Sequence, residues 1–268
     1  MQKITDNIST ADSVPRSGEL AEDTVIQLKM AGQVQRSFLP SQMPNSDKIH
    51  WATLFKPADW VSGDIYDVTR LDEQHIGFYV ADAVGHSVPA ALLTIFLKQA
   101  IIMRETIGDD NRIFGPVEVI RNLNKKMVDQ HLTGNLFATC CYGLLNIRTL
   151  QMTYARAGHP YPILIRKDQQ PAQLKKRGGL LGIFPEADFQ QQTIQLEPGD
   201  KLFIYSDGCD SLIGECDDKD EFIFNQQFLS ITDLPVEQML AEFELLVNNM
   251  DNPVGEIDDI TAVALQIL

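Results

Sequence analysis

Residues 136–166, LFATCCYGLLNIRTLQMTYARAGHPYPILIR, set the hydrophobic period of the chain to two. Leu136 to Asn146, Gln151 to Ala157 and Pro162 to Arg166 read as strands, and so do Gln191 to Leu196 and Lys201 to Ser206 downstream. Turn chemistry such as Glu197-Pro198-Gly199-Asp200 separates them. Short connections of this kind predict antiparallel neighbours.

Upstream, Ile49 to Phe55 reads as a strand that leads into KPADWVSGDIYDVTRLDEQ, and the apolar run His75 to Ala81 ends in Asp82. Pro89 opens a helix expected to run through about Glu105, and Gly115-Pro116 opens a second to about Gln130 with Val119, Ile120, Leu123 and Met127 on one face. A helix from Val236 to Asn248 follows the strands, and a last strand, Ile260 to Leu268, comes directly after Asp258 and Asp259. No internal repeat divides the chain. The fold class is therefore α+β, with helices covering antiparallel sheets.

The first 18 residues are rich in Ser, Asp, Asn and Thr without periodicity and read as a disordered tail or linker remnant. Residues 19–40 form a helical pattern through Leu20, Leu28, Ala31, Val34 and Phe38 that Pro40 stops, leaving 41–268 as the folded domain. That helix reads as a docking element on the core or as a dimerising, signal-relaying one, so a homodimer through it is an expectation.

Among 268 residues, 37 are acidic and 22 basic, a formal charge of −15, while 44% are hydrophobic and 13 are Phe. The apolar content is that of a folded chain. The acidity argues against nucleic acid or an anionic membrane surface as partner. The start, MQKITDNIST, is unlike a secretory signal, and no apolar run reaches the ~20 residues that span a bilayer, so the expected location is cytoplasmic. Cys140, Cys141, Cys209 and Cys216 form no CxxC pair and have no His at zinc-finger spacing.

Chemistry concentrates where acids sit at strand ends. Asp82 ends YVAD, Asp207 follows FIYS, Asp258 and Asp259 precede ITAV, and Asp64 in SGDIYD precedes a strand. Aspartates so placed can share a crevice without burying an unpaired charge in the core. Oxygen ligands with retained waters suit Mg²⁺ or Mn²⁺. His86, next to this edge, is a candidate general acid, a solvent-facing or structural role being the alternative. His159 in AGHP reads as shaping a turn, and Trp60 and Tyr66 as packing beside the first acidic motif.

In order, AGQVQRSFLP, PADWVSGDIYDV, VADAVGHSVPAALL, FATCCYGLLN, ARAGHPYPILI, GDKLFIYSDG and DDITAVALQI resemble the bacterial PPM (protein phosphatase 2C-like) phosphatases of the SpoIIE and RsbU type from Ala31 onward. The resemblance implies a four-layer αββα sandwich and a site for two Mn²⁺ or Mg²⁺ ions. It assigns metal binding to Asp64, Asp82, Asp207 and Asp258, with the backbone carbonyl of Ala83 and the Asp259 carboxylate as secondary ligands. Adjacent strand side chains face opposite ways, which sets Asp259 apart from Asp258. Ser62 stands where the subgroup carries the first Gly of GGD, and Asp59 where it carries a basic residue; Lys56 is the candidate to meet substrate instead.

The activity this implies is hydrolysis of phosphoserine or phosphothreonine on a regulatory protein, such as a STAS-type anti-sigma-factor antagonist, by a metal-activated water without a protein nucleophile. A weakly active or inactive module that binds a phosphorylated partner is the alternative. A phosphorylated metabolite is a third, and the chain has no GxxxxGK[ST] loop for nucleoside triphosphates.

Overall fold

The computed structural model describes residues 17–85, 87–108, 110–132, 134, 136–218, 221–250 and 258–268; most of the expected tail lies outside them. In chain order the elements are α1 (Ser17–Ser37), β1 (Ile49–Lys56), β2 (Asp64–Arg70), β3 (His75–Ala83), α2 (Val88–Ala100), β4 (Arg104–Ile107), β5 (Asp110–Ile113), α3 (Pro116–Asp129), β6 (Ala138–Asn146) and β7 (Gln151–Ala157). They continue with β8 (Ile163–Ile165), β9 (Ala172–Gln173), β10 (Gln191–Gln195), β11 (Lys201–Tyr205), α4 (Asp210–Ile213), β12 (Gly214–Cys216), β13 (Phe222–Phe224), α5 (Gln226–Ile231), α6 (Val236–Asn248) and β14 (Ile260–Ile267).

Two five-stranded antiparallel sheets form the centre, one ordered β1-β14-β11-β8-β9 and the other β10-β7-β6-β3-β2. Alternation along β2 and β3 sorts their side chains between two cores. Ile65, Tyr79 and Ala81 face α2 and α3, packing with Leu93, Leu97, Ile120 and Leu123. Tyr66, Phe78 and Val80 face the other sheet, against Trp51, Ile204 and Val263. On that sheet's far side, Phe203 meets Phe228 and Phe243 edge-on at 5.5 and 5.3 Å, which seats α5 and α6. Truncating such a buried Phe to Ala costs about 3–5 kcal/mol. The result is the expected four layers, helix, sheet, sheet, helix.

Two sequence expectations are corrected, and one segment without an expectation proves to be ordered. The helix opened by Pro89 ends at Ala100, not near Glu105: Ile101 turns extended (ψ 105°) and Arg104 enters a β4–β5 hairpin reversed at Gly108, whose φ is +62°. Short connections also do not always join neighbours. β7 and β8 belong to different sheets, as do β10 and β11. Between β7 and β8, Gly158 at φ +65° turns the chain, and Pro160 and Pro162 have no amide N–H to continue a ladder. Finally, the β12–β13 hairpin lies in a segment the hydrophobic pattern left unread.

Helix α1 ends at Ser37, three residues before Pro40, and lies against the loop that precedes β2. A Cβ on Gly32 would stand 1.9 Å from the Trp60 carbonyl oxygen, so only glycine permits this approach. Three residues on, buried Gln35 accepts from the Ser62 amide at 2.9 Å and donates to the Ser62 carbonyl at 2.6 Å and the Thr94 hydroxyl at 2.9 Å. Ser62 in place of glycine is buried too, and its hydroxyl accepts from the Asp64 amide at 3.0 Å.

Candidate metal centre

The four aspartates are drawn together from the two sheets: the Asp82 charge acts on Asp64, and those of Asp207 and Asp258 act on Asp82. Asp64 and Asp82 are register partners on β2 and β3, so their side chains stand side by side on the face toward the other sheet. From that sheet, β11 delivers Asp207 and the start of β14 delivers Asp258 and Asp259. The charges of Asp207, Asp258 and Asp259 all act on Asp82.

Two glycines let the backbones approach. A Cβ at Gly63 would fall 2.4 Å from the Gly85 carbonyl oxygen and 2.9 Å from that of Ala83. A Cβ at Gly208 would fall 2.3 Å from the Asp259 carbonyl oxygen. Asp207-Gly208 is therefore more than a turn.

Asp258 and Asp259 divide their work as strand alternation predicts. Asp259 is buried, and its carboxylate accepts from the Ala58 amide at 2.8 Å and the Gly63 amide at 2.6 Å, clasping the β1–β2 loop to β14. Asp258 is exposed, and one of its oxygens accepts from the Asp259 amide at 2.8 Å. Ser206 completes the joint: its hydroxyl accepts from the Thr261 amide at 2.9 Å and donates to the Asp259 carbonyl at 3.3 Å. Ser206 and Thr261 had escaped the sequence reading, although Thr261, two residues after Asp259, shares its face of the strand.

Burial, and after it the crowding of like charge, shifts Asp64, Asp82, Asp207, Asp210 and Asp259 upward. Burial, and then the Asp82 charge, hold Asp64 well above the ordinary carboxylate range; the Ser206 and Thr261 hydroxyls lie close enough to oppose this. The Thr261 hydroxyl does not reach good hydrogen-bonding geometry, since Asp64 Oδ2 and Thr261 Oγ1 are both buried without a partner. Asp82 is pushed up to about 8 by burial and then by Asp207, Asp258 and Asp259. Burial and the Asp258 charge raise Asp207, and burial with the Asp207 charge takes Asp210 up to about 6. No cation is among the charges acting on Asp64, Asp82 or Asp207. The orphaned Asp64 oxygen and this uncompensated charge fit a divalent cation, although no three His, Cys, Asp or Glu side chains among the described residues already form a ligand set.

A groove of about 770 Å³ opens from the acids; its walls include Asp82, Asp207, Asp210, Arg156, His159 and Tyr161. Thr139, the register partner of Asp82, bonds His159 Nδ1 through its hydroxyl at 2.8 Å. His159 is fully buried, and burial followed by the Arg156 charge lowers its pKa to about 3, so it is a neutral part of the groove wall. Tyr66 packs as expected, its hydroxyl 3.2 Å from that of Thr53, while Trp60 lies under the Lys29 ammonium at 4.5 Å. Lys56 is not brought to the groove: its ammonium donates to Asn248 at 2.6 Å, at the end of α6. His86 lies outside the described residues.

The family described as Stage II sporulation protein E (SpoIIE) matches residues 72–268. Phosphoserine phosphatase RsbU of Bacillus subtilis (strain 168) is 28% identical over 234 residues, covering 87% of this chain and 66% of its own length. The chain spans 41% to 66% of the length of the three curated relatives compared. Among solved structures, the SiaA-PP2C domain of Pseudomonas aeruginosa superposes with a TM-score of 0.72 at 21% identity, covering 93% of this chain and 99% of that one. RsbX in complex with magnesium superposes with a TM-score of 0.61 at 18% identity, covering 85% of this chain and 99% of that one. The protein phosphatase 2C fold is thus shared, and a divalent cation accompanies one of its neighbours.

Proposed function

The chain belongs to the SpoIIE family, and from that premise we propose that it is a metal-dependent protein serine/threonine phosphatase, hydrolysing a phosphoserine or phosphothreonine ester on a regulatory protein. The observation that carries this reading is the register pair Asp64 and Asp82 meeting the charges of Asp207 and Asp258 across the two sheets. Two Mn²⁺ or Mg²⁺ ions held by Asp64, Asp82, Asp207 and Asp258, with the Ala83 carbonyl as a further donor, would supply Lewis acidity and a water made nucleophilic near neutral pH.

The chain's own groups position and exclude. Asp259 fixes the loop before β2 through its bonds to Ala58 and Gly63, which sets where Asp64 stands. Water adds to phosphorus, the P–O ester bond breaks, and the Ser or Thr oxygen leaves with a proton. His159, held neutral, does not supply that proton. RsbU carries the name phosphoserine phosphatase. A STAS-type anti-sigma-factor antagonist is the partner class we assign by that likeness.

A homodimer through α1 is part of the same reading. Ile26, Met30 and Val34 recur every four residues on that helix and are 54%, 60% and 58% exposed, an apolar stripe that a second copy would cover. No helix among the described residues is long and apolar enough to cross a membrane.

The alternative, a phosphopartner-binding module with little or no turnover, draws on the acids' failure to form a ready ligand set. Phosphate release from p-nitrophenyl phosphate and a phosphoserine peptide, before and after metal removal and Mn²⁺ re-addition, separates the two. Turnover that requires the metal and vanishes in Asp82→Asn and Asp207→Asn is expected. A folded protein inert with every divalent ion would leave only the binding module.

A further inference from the structure

The chain is strongly acidic, yet two cations line the groove and two more adjoin them in the chain. Arg156 and Lys175 line it, and Lys176 and Arg177 follow directly in sequence. None of the four has a carboxylate partner among the described residues; the Lys and Arg ion pairs there belong to Lys98, Arg112 and Arg166. A basic cluster left unpaired on a molecule with surplus carboxylates is complementary to acid supplied from outside.

This basic bank is built into the fold. Arg156 is only 9% exposed, and its Nε donates to the Lys176 carbonyl at 2.9 Å. Its Nη1 donates to the His159 carbonyl, and its guanidinium lies over the Tyr161 ring, 4.2 Å from the centroid. Carbonyls and a ring face satisfy donors without cancelling the charge. The segment carrying the lysines is tied down on both sides: Leu174 donates to the Pro162 carbonyl at 2.8 Å, and Gly158 donates to the Gly178 carbonyl at 3.1 Å. A Cβ at Gly178 would stand 1.7 Å from the Arg156 carbonyl oxygen, so the two strands are in the closest contact there.

Asp210 and Glu215 also line the groove, the latter in the β12–β13 hairpin. An acidic group entering it is repelled by these carboxylates and attracted to the basic residues.

Arg156 shares a face of its sheet with Asp82. It is the register partner of Cys141, two residues along β6 from Thr139, which pairs with Asp82. Two strand spacings, about 10 Å, therefore separate β3 from β7 laterally. Arg156 is also absent from the charges that act on Asp82. The basic bank is thus too far out to neutralise the acids and near enough to meet residues flanking a phosphorylated one.

We propose that the bank formed by Arg156, Lys175, Lys176 and Arg177 is a docking surface for an acidic segment of the phosphorylated protein substrate, one or more carboxylates beside the phosphorylated residue. This rests on the phosphatase reading of the same groove. It makes the enzyme selective for phosphoserine in acidic surroundings, with the phosphoryl group left to the metal centre.

The test compares kcat/KM, with Mn²⁺, for two phosphoserine peptides that differ only in carrying Asp or Ala at the flanking positions. Lys175 and Arg177 are exposed, so Lys175→Glu with Arg177→Glu reverses the bank without entering the core. The wild type is expected to favour the acidic peptide about tenfold at low salt, with the preference fading at high salt and lost in the double variant. Equal rates for the two wild-type reactions would overturn the proposal, as would a preference that survives the reversal. A uniform fall for both peptides and p-nitrophenyl phosphate, with the ratio intact, would show that the bank steers the phosphate alone, and overturns it equally. If the wild type hydrolyses nothing, the phosphatase reading has failed by itself; fluorescence anisotropy of the same labelled peptides then decides whether the acidic one binds more tightly.

Discussion

Asp258 and Asp259 are adjacent, equally charged and built for opposite tasks, so replacing each by alanine gives opposite phenotypes. Asp259 accepts two backbone N–H bonds at 2.8 and 2.6 Å in a buried setting. Bonds to a charged acceptor contribute about 1.5–3 kcal/mol each. Burial and the Asp258 charge both work against the Asp259 carboxylate. The net loss in Asp259→Ala should therefore fall near the lower end, about 3 kcal/mol, with the Ala58 and Gly63 amides left unpaired. For a chain of this size that is a fall in Tm of roughly 6–12 °C. Asp258→Ala removes a like charge acting on Asp82 and Asp207, so the metal-free protein should unfold at the same temperature or slightly higher. It should instead lose Mn²⁺ affinity. Calorimetric unfolding in EDTA and Mn²⁺ titration of both variants measure the two effects. A destabilised Asp258→Ala beside a stable Asp259→Ala that no longer binds metal would refute the division of labour.

The metal-free protein should become less stable as pH rises from about 5 to 8. Asp82 titrates at about 8 when folded against an ordinary value of 3.8, so within this window the folded state holds the extra proton and stability falls with pH. The slope is at most about 1.4 kcal/mol per pH unit for one proton; urea midpoints in EDTA should show it, Mn²⁺ should remove it, and midpoints that climb with pH would contradict it. Gly208→Ala should weaken Mn²⁺ binding at least about tenfold and cost about 1–3 kcal/mol, because its Cβ must push the Asp259 carbonyl away from 2.3 Å. Isothermal titration with unfolding curves checks both, and an unchanged variant would mean the two backbones need no such contact.

Local patterns in the sequence carried the elements well. The period-two run Gln151 to Ala157 is β7 to the residue, and Val236 to Asn248 is α6, since each lies between clear turn signals. The strand-end aspartates were legible for the same reason, a change of period followed by an acid. What the sequence withheld depends on neighbours distant along the chain. Nothing local says that AGHPYP or EPGD carries the chain from one sheet to the other, because the same short loops more often close hairpins. The buried joint of Ser206, Asp259 and Thr261 joins residues up to 55 positions apart. His159 was read as a turn residue because its burial against Thr139 and Arg156 arises only once β6 and β7 pair. The basic bank went unremarked because three consecutive cations look like solvated surface until the groove is placed beside them.

The order of strands in the first sheet also governs the order of assembly. β14 lies between β1 and β11, although every other strand precedes it in the chain. On a ribosome, β1 and β11 are both synthesised before the strand that joins them. Until then each presents an unpaired edge of backbone amides and carbonyls to other nascent chains. The same late strand brings Asp258 and Asp259, so the centre cannot gather its full charge before the sheet beneath it has closed. The share of the self-repulsion that Asp258 and Asp259 add is thereby deferred until β14 docks, when much of the apolar surface that offsets it is already buried.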